Sequence, residues 1–229
     1  MEHGKTSSIP ELLGDAWFSG LDPECRQALL AHAHTLTIPR GAAIWHREDR
    51  GNGIYCLLNG AVHVTTTSWS GRELLVNVVY PVNWFGEISM LDGGTRTHEM
   101  FTVTDSRLLH VPGAELEHVC SLHPSLWREL ARLMATKLRA AYANLSDVCL
   151  LPVTARVASR LLALSHQDRG SAVASRIALS QEDLGMMLSL SRQTINKALN
   201  ELESAGAIVA RYGVVDVCDE ALLRRLAEA

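Results

Sequence analysis

The chain has 229 residues, of which 47% are hydrophobic and 20% charged, with a formal net charge of -4. That length suits one large or two modest domains with their own cores. The acidic balance excludes a uniformly basic surface, so any contact with nucleic acid must come from a local patch. No apolar run is long enough to span a membrane, and the start of the sequence lacks a signal-peptide pattern. We therefore expect a soluble cytoplasmic protein without a membrane partner.

The five cysteines are scattered and include no CxxC pair. This spacing favours buried, reduced thiols over a disulfide framework or an iron-sulfur cluster. The histidines are also dispersed, with His32 and His34 the closest pair, which leaves a haem or metal sensor as a minor alternative. We predict no metal site.

The first part of the chain, residues 1 to 123, is expected to form a β-rich domain. Short helical segments around Leu21-Asp22-Pro23 precede a series of short β-like runs separated by Gly-, Asn- and Asp-containing turns. Many short strands at this spacing indicate a sandwich or a jelly-roll barrel. The predicted strands are Thr35 to Pro39, Ala43 to His46, Ile54 to Leu58, Ala61 to Thr66, Leu74 to Val79, Glu99 to Val103 and Arg107 to Val111.

Residues 84 to 97 of this domain concentrate the groups that a small phosphorylated ligand needs. Gly86 lets the backbone approach a ligand, and the Glu87 carboxylate could accept hydrogen bonds from two sugar hydroxyls. Arg96 can bind a phosphate bidentately while Thr97 donates its hydroxyl. A Glu87–Arg96 ion pair that only closes a loop explains the same spacing equally well.

The central segment, Pro124 to Leu151, is predicted to be one long helix and to form its own region, residues 124 to 151. One face repeats apolar or small residues at alternating steps of four and three, which is the seam of a coiled coil and predicts a homodimer. The seam residues are Trp127, Ala131, Met134, Leu138, Ala141, Leu145 and Val148. A second row, Leu126, Leu130 and Leu133, is expected to hold the N-terminal domain. A helix buried inside a single domain is the alternative.

The last part, residues 152 to 229, reads as helical and contains a helix-turn-helix pattern. Pro152 to Ser165 is predicted to be an amphipathic helix, and His166 to Arg176 a loop or weak hairpin. Ser180 and Ser191 are placed to cap two further helices, with small Gly185 where they cross. Two packed structural helices are the alternative.

Four polar residues lie on the outer face of the second of these helices, near its N-terminal end, where base edges in DNA are reached: Arg192, Gln193, Asn196 and Lys197. Arg can read guanine and Gln adenine. With Ser180, Ser191 and Arg211 they form the predicted DNA-binding set. The acidic residues of this part roughly balance its arginines, so we expect moderate, salt-sensitive binding. Ser189 holds the turn position, which is strained if its φ is positive.

Two stretches resemble known domains. Gly86-Glu87-Ile88 followed by Leu91 to Thr97 resembles the phosphate-binding cassette of cyclic-nucleotide-binding domains, and Leu179 to Leu226 resembles the winged helix-turn-helix of the CRP/FNR family of bacterial transcription regulators. The resemblance implies that Glu87 holds a ribose 2'-hydroxyl and that Arg96 and Thr97 hold a cyclic phosphate. It also implies that the central helix reaches the purine, here through Ala141 and Tyr142.

The sequence departs from the family pattern beside this cassette. His98 stands where a small residue is usual, and Pro81-Val82-Asn83 replaces Pro-Gly-Asp. His98 could crowd a cyclic mononucleotide or contact a different ligand. The predicted ligand-binding set is Gly86, Glu87, Ile88, Arg96, Thr97, His98 and Tyr142.

The expected fold class is α+β, with an N-terminal jelly-roll, a long dimerisation helix and a C-terminal winged helix-turn-helix. The expected function is a homodimeric transcription regulator that reads a two-fold operator in double-stranded DNA, with RNA polymerase as a further partner. Its effector would be cAMP, cGMP, cyclic di-GMP or another nucleotide. A ligand-independent regulator and a module that acts on a protein partner stay open. No nucleophile-base set, metal-ligand spacing or Walker loop indicates an enzyme, so no catalytic residues are predicted.

Overall fold

In a computed structural model, residues 10–166 and 176–228 are described. The chain divides into two compact units. The first extends to Thr66 and resumes from Val78 to Leu138, and the second contains Thr67–Asn77 and the chain from Arg139 onward. The boundaries therefore fall within two strands and within the long central helix.

The first unit begins with short helices whose buried side chains join its hydrophobic core. A 3-10 turn is followed by α1 and α2, with bounds Pro10–Gly14, Ala16–Ser19 and Pro23–Ala31. Asp15 caps α1 by accepting a hydrogen bond from the backbone N–H of Phe18. Phe18 is buried and stacks on Trp84, so this segment closes the core.

Eight strands form two four-stranded sheets, of order β1-β8-β3-β6 and β2-β7-β4-β5. Their bounds are β1 His34–Ile38, β2 Ala43–Trp45, β3 Gly53–Asn59, β4 Val62–Thr67, β5 Glu73–Val79, β6 Asn83–Phe85, β7 Glu99–Thr102 and β8 Ser106–Pro112. The β1–β8, β3–β8, β3–β6, β2–β7 and β4–β7 pairs are antiparallel. This is the β-rich architecture that the short, turn-bounded runs predict.

Strand β3 is buried on both faces, and this organises the core. Ile54, Cys56 and Leu58 join one hydrophobic cluster, whereas Tyr55 and Leu57 join the other. Because successive side chains of a strand point to opposite faces, one strand can supply both clusters.

Three elements of this unit were not predicted: β6, α3 and α4, where α3 spans Glu87–Asp92 and α4 spans Gly113–Leu122. Strand β6 and helix α3 are too short to show a periodic pattern. Helix α4 does carry a readable signal, since it buries Leu116, Val119 and Cys120 at helical spacing.

The long helix α5 spans Ser125–Leu150, close to the predicted bounds. Leu126 and Leu130 are fully buried in the first cluster and Leu133 packs against it. The opposite face carries exposed apolar side chains, including Trp127, Leu138, Leu145 and Val148. A helix buried on all sides, the alternative above, is therefore wrong.

The remaining elements belong to the second unit and form a three-stranded sheet, of order β10-β11-β9, with packed helices. Their bounds are α6 Val153–Ser165, β9 Arg176–Ile177, α7 Gln181–Leu188, α8 Arg192–Ser204, β10 Ile208–Arg211, β11 Val214–Val217 and α9 Glu220–Ala227. Residues 167–175, most of the predicted loop, lie outside the described residues. The expected α+β fold class is confirmed.

Both serine caps are formed as predicted. The Ser180 hydroxyl accepts from the backbone N–H of Asp183 at 3.0 Å, and the Asp183 carboxylate accepts in return from the Ser180 backbone at 3.2 Å. This is a capping box with Asp in the third position. Ser191 accepts from the backbone N–H of Thr194 and starts α8.

The cysteines differ from the prediction in part. Cys25, Cys56 and Cys120 are buried and unpaired, but Cys149 and Cys218 are exposed. Burial raises the pKa of Cys120 to about 12. The prediction of buried thiols is therefore wrong for Cys149, on the outer face of α5, and for Cys218, which follows β11.

Candidate functional site

The side chain of Arg96 lies at the centre of the predicted ligand site and is only 3% exposed. Its Nη1 donates to the carbonyl oxygen of Gly86 at 2.9 Å. Its Nη2 donates to Asn52 Oδ1 at 2.7 Å and to the Gly53 carbonyl at 2.9 Å. These three acceptors hold the guanidinium in one orientation.

An aromatic platform supports the same group. The guanidinium carbon of Arg96 lies 4.0 Å from the centroid of the Trp45 ring, and Trp45 Nε1 donates to the carbonyl of His98 at 3.0 Å. Burial lowers the pKa of Arg96 from its ordinary value, although an arginine stays protonated at neutral pH. Within the described ranges the buried Nε of Arg96 has no hydrogen-bond partner. An unsatisfied, buried, charged donor is costly, and a bound anion would satisfy it.

Gly86 is required by its backbone and by its neighbours. Its φ is +95°, and a Cβ there would lie 3.0 Å from both Arg96 Nη1 and the Gly53 carbonyl oxygen. No other residue type adopts this conformation without strain. Gly86 therefore lets Arg96 approach the start of α3 closely.

Glu87 is buried and pairs with a lysine from the central helix. Lys137 Nζ lies 2.7 Å from Glu87 Oε2 and also donates to the carbonyl of Trp84 at 2.8 Å. The Glu87 side chain is 2% exposed and that of Lys137 37%. The Glu87–Arg96 ion pair left open by the sequence is thus not formed. The buried carboxylate keeps a second oxygen for a ligand hydroxyl.

Thr97 is exposed, and its hydroxyl lies 2.8 Å from Nδ1 of His98. Burial, and secondly the charge of Arg47, lower the pKa of His98 below its ordinary value. The neutral imidazole can accept the Thr97 proton or donate to its oxygen. His98 therefore orients the hydroxyl that the sequence assigns to a phosphate.

The structure brings Gly86, Glu87, Arg96, Thr97 and His98 into one region of the first unit. The Ile88 side chain is 37% exposed on α3. Tyr142 is exposed on the part of α5 that belongs to the second unit, so its contact with a ligand stays a prediction.

Sequence reasoning missed three residues of this region. Asn52 and Trp45 bind or support Arg96, and Lys137 binds Glu87. Gly51-Asn52-Gly53 read only as a turn, and a lysine beside a coiled-coil seam is ordinary, so neither pattern indicated a site. Only the sheet register and the docking of α5 bring these residues together.

The outer face of α8 carries the predicted DNA-reading residues. Arg192, Gln193 and Lys197 are exposed, and Asn196 is half-buried. Gln193, Asn196, Lys197 and Asn200 line one shallow groove along the helix. Ile195 and Leu199 occupy the buried face, which fixes this orientation.

A second opening of about 1230 Å³ lies beside the N-terminal ends of α7 and α8. Ser180, Arg192 and Arg211 line it, together with Tyr212 at the tip of the β10–β11 hairpin. Arg211 lies 2.9 Å from Asp216, which also lies 3.8 Å from Arg176. The carboxylate therefore reduces the positive charge that Arg211 presents.

The turn between α7 and α8 has the strain that the sequence suggested. Ser189 has φ +53° and ψ +42°, in the left-handed region. Gly185 is buried where the helices cross, and a Cβ there would lie 3.0 Å from the Leu190 carbonyl oxygen. The pair is therefore a tightly crossed helix-turn-helix, and the structure does not support two unrelated packed helices.

Comparison with known proteins agrees with this geometry. Residues 35–123 match the family model of the cyclic nucleotide-binding domain, and residues 155–226 match that of the Crp-like helix-turn-helix domain. The chain is also 30% identical, over 92% of its length and 95% of the relative, to the CRP-like cAMP-activated global transcriptional regulator of Mycobacterium tuberculosis. The chain belongs to the CRP/FNR family of transcriptional regulators.

One further relative and one solved structure extend the match. The cyclic AMP receptor protein of Thermus thermophilus is 29% identical over 93% of this chain and 97% of the relative. The structure of FixK2 from Bradyrhizobium japonicum superposes with a TM-score of 0.76 at 24% identity, covering 86% of this chain and 98% of that one. The FixK2 match supports the fold alone.

As a CRP/FNR regulator, the protein is a DNA-binding transcription regulator with a cyclic-nucleotide-binding domain. This family consists of regulators and not of enzymes. Across the described ranges, no group of three or more His, Cys, Asp or Glu residues is arranged to hold a metal ion. No helix in those ranges is both long and apolar enough to span a bilayer.

Proposed function

We propose that the protein is a homodimer that reads a two-fold operator with its paired α8 helices, and that a cyclic nucleotide bound at Glu87, Arg96 and Thr97 changes its affinity for that operator. The buried Arg96 carries the proposal. Its guanidinium is fixed by three oxygen acceptors while its Nε donor has no partner in the described ranges. A cyclic phosphate would supply the missing acceptor.

Two relatives support a cyclic nucleotide as the effector class. Their names describe one as cAMP-activated and the other as a cyclic AMP receptor protein. For this chain the proposed site has an arginine and a hydroxyl for a phosphate, and a carboxylate for a ribose hydroxyl. His98 and Tyr142 are the residues expected to select among cAMP, cGMP and cyclic di-GMP, and the titration below compares the three.

The exposed seam of α5 supports the homodimer. Leu138 is 49% exposed, Leu145 59% and Val148 48%, all on one face of a continuous helix. An exposed apolar stripe at coiled-coil spacing is stabilised by a second copy of the same helix. A two-fold dimer presents two recognition helices, which is what a two-fold operator requires.

One observation favours a ligand-independent regulator as the second candidate. Lys137 already neutralises Glu87, and the protein's own carbonyl oxygens bind Arg96. Such a site could be held in its folded form without an effector. A direct titration separates the two candidates.

The test is calorimetric titration of the purified protein with cAMP, cGMP and cyclic di-GMP. Glu87→Gln and Thr97→Val are suitable controls, because Arg96→Ala also removes contacts that stabilise the fold. Saturable binding of one nucleotide that weakens tenfold or more in both variants would support the switch. No heat from any of the three, together with intact DNA binding, would favour the ligand-independent regulator.

DNA binding is measured by fluorescence anisotropy with a duplex that the wild-type protein selects from a random-sequence pool. We expect Arg192→Ala to abolish specific binding, and salt to weaken binding steeply. Retained specific binding would contradict the assignment of α8 as the reading helix. We also propose that the DNA-bound dimer contacts RNA polymerase in the cytoplasm. This contact is tested by adding RNA polymerase to the complex of protein and duplex and looking for a further mobility shift.

The dimer is tested by analytical ultracentrifugation of Leu138→Glu beside the wild type. A charge in an apolar seam opposes association, so we expect the variant to sediment as a monomer. Arg139→Glu, at the next position along the helix and outside the seam, is the matched control. Equal sedimentation of the wild type and Leu138→Glu would contradict the seam.

A further inference from the structure

Two arginines one turn apart on α6 bind different parts of the second unit. Arg156 Nη2 donates to the carbonyl of Leu188 at 2.8 Å. Arg160 Nη2 donates to the carbonyl of Val76 at 3.1 Å and to Asn77 Oδ1 at 3.0 Å. Because residues four apart lie on the same face of a helix, α6 is held at both places at once.

The two segments that these arginines bind lead along the chain to the recognition helix and to the ligand-site cassette. Leu188 is the last residue of α7 and precedes the left-handed Ser189, which leads into the recognition helix α8. Val76 and Asn77 belong to strand β5, whose next residues, Val78 and Val79, are buried in the first unit. Strand β5 runs on toward β6 and the ligand-site cassette.

These elements surround one small cavity, of about 70 Å³. Val76, Arg156, Arg160 and Leu188 line it, and so does Asp147 from the end of α5. The Asp147 carboxylate accepts a short hydrogen bond from Ser159 of α6. Strand β5, the end of α5, α6 and the end of α7 therefore meet at one polar junction.

The burial of Arg160 argues for more than space filling. The residue is only 7% exposed, and its charge is tolerated there because oxygen acceptors of β5 hold it. A buried guanidinium that loses its acceptors must be hydrated instead. Arg160 therefore keeps α6 at one position along strand β5 unless the contact opens and admits water. Such a contact can therefore set the position of the strand that it holds.

The held state is compatible with DNA binding. In it, the groove of Gln193, Asn196 and Lys197 is lined by residues of α8 alone and faces solvent. Taking the held state as the DNA-binding one, we expect loss of the contact to lower operator affinity.

We propose that Arg160 is a positioning residue that clamps strand β5 to α6, and that Arg156 passes the position of α6 to the turn before the recognition helix. The clamp rests on the proposed function, since it makes operator affinity depend on a strand that leads to the effector cassette. Arg160 lies on α6, outside both the cassette of residues 86–98 and the outer face of α8.

The experiment compares Arg160→Gln, Arg160→Lys and Asn77→Ala in the full chain. Asn77→Ala removes one acceptor without changing the arginine, so it tests the contact if Arg160→Gln fails to fold. Arg224→Gln is the matched control, because Arg224 is exposed on α9 and lies 2.9 Å from Glu220. Operator affinity is measured by anisotropy, and exchange of the amides of residues 74–77 by hydrogen-deuterium mass spectrometry.

We expect Arg160→Gln to lower operator affinity about tenfold and to speed exchange in residues 74–77, with Arg160→Lys restoring most of both. Arg224→Gln should stay within about twofold of the wild type. In the wild type, operator DNA should slow exchange in residues 74–77, which a merely structural arginine would not cause. Two results would overturn the clamp. One is operator affinity within twofold of the wild type in both Arg160→Gln and Asn77→Ala. The other is amide exchange in residues 74–77 that operator DNA does not change.

Nucleotide titration of the same variants separates this inference from the proposed switch. If cAMP, cGMP or cyclic di-GMP binds the wild type, its affinity for Arg160→Gln should change less than twofold while its effect on operator affinity is lost. If none binds, the nucleotide switch fails, and the measurements with operator DNA alone still decide the clamp.

Discussion

The ligand cassette and the recognition helix each depend on one arginine, but they use it in opposite ways. Arg96 is 3% exposed, and its Nη atoms donate hydrogen bonds to acceptors of its own chain. Arg192 is exposed at the start of α8. A buried arginine is pre-organised and stabilises the fold, whereas an exposed one is available to a partner and contributes little to stability.

The same contrast holds for the residues around each arginine. Asn52, Trp45 and Gly86 come from three places in the chain to hold Arg96. Arg192, Gln193 and Lys197 lie within two turns of one helix and need only that helix to share a face. The cassette is therefore sensitive to changes anywhere around it, and the recognition face mainly to changes in its own side chains.

The largest expected effect comes from removing each arginine in turn. Arg96→Ala should lower the free energy of unfolding by about 3 kcal/mol, because hydrogen bonds from a charged group contribute about 1.5–3 kcal/mol and buried carbonyl oxygens lose their donor. Arg192→Ala should change it by less than about 0.5 kcal/mol, as most surface substitutions do. Urea unfolding of both variants measures the difference. Equal losses of unfolding free energy in the two variants would contradict the contrast between a buried, structural arginine and an exposed, DNA-reading one.

The next effect tests whether the recognition helices are as tightly held as the cassette. Gly185→Ala should destabilise the second unit by about 1–3 kcal/mol, because its Cβ would press on the Leu190 carbonyl at 3.0 Å. In an open helix the same change would stabilise by about 1 kcal/mol, so the sign is decisive. Thermal unfolding gives the answer, and Asn200→Ala, exposed on α8, is the control for helix propensity alone.

A smaller effect concerns the strained turn. Ser189→Gly should stabilise the protein by about 0.5–1 kcal/mol, because glycine adopts φ +53° without a steric penalty. Ser189→Val should do the opposite, since a β-branched residue is disfavoured there. Urea midpoints of the two variants test this. A midpoint that falls in Ser189→Gly would show that the serine side chain has a role of its own.

The smallest effect is a pH dependence in the cassette. Burial lowers the pKa of His98 in the folded state, so below the ordinary value of 6.5 the unfolded chain binds more protons at this position. His98 therefore makes stability rise with pH toward 6.5 and has no effect above it. His98→Gln should show a shallower rise of the urea midpoint between pH 5 and pH 6.5. An unchanged slope would assign the dependence to other groups, such as His110, whose pKa burial also lowers.

Local signals predicted much of the molecule. Patterns within one or two helical turns predicted the serine caps, the crossing at Gly185 and the buried row Leu126 and Leu130. They also predicted the bounds of α5 to within one residue at each end. Most strands followed from their bounding turns. Short β6 and α3 did not, because too few residues were present to show a period.

The sequence by itself determined the type of each recognisable element, the outward face of α8 and the resemblance to CRP/FNR regulators, since these depend on spacing along one segment. Only the tertiary structure decided that Glu87 pairs with Lys137, that Arg96 binds Asn52 and the Gly53 carbonyl, and that Arg160 holds strand β5. The physical reason is that these contacts join residues distant in the chain, and their partners are set by sheet register and helix docking, which no local pattern encodes.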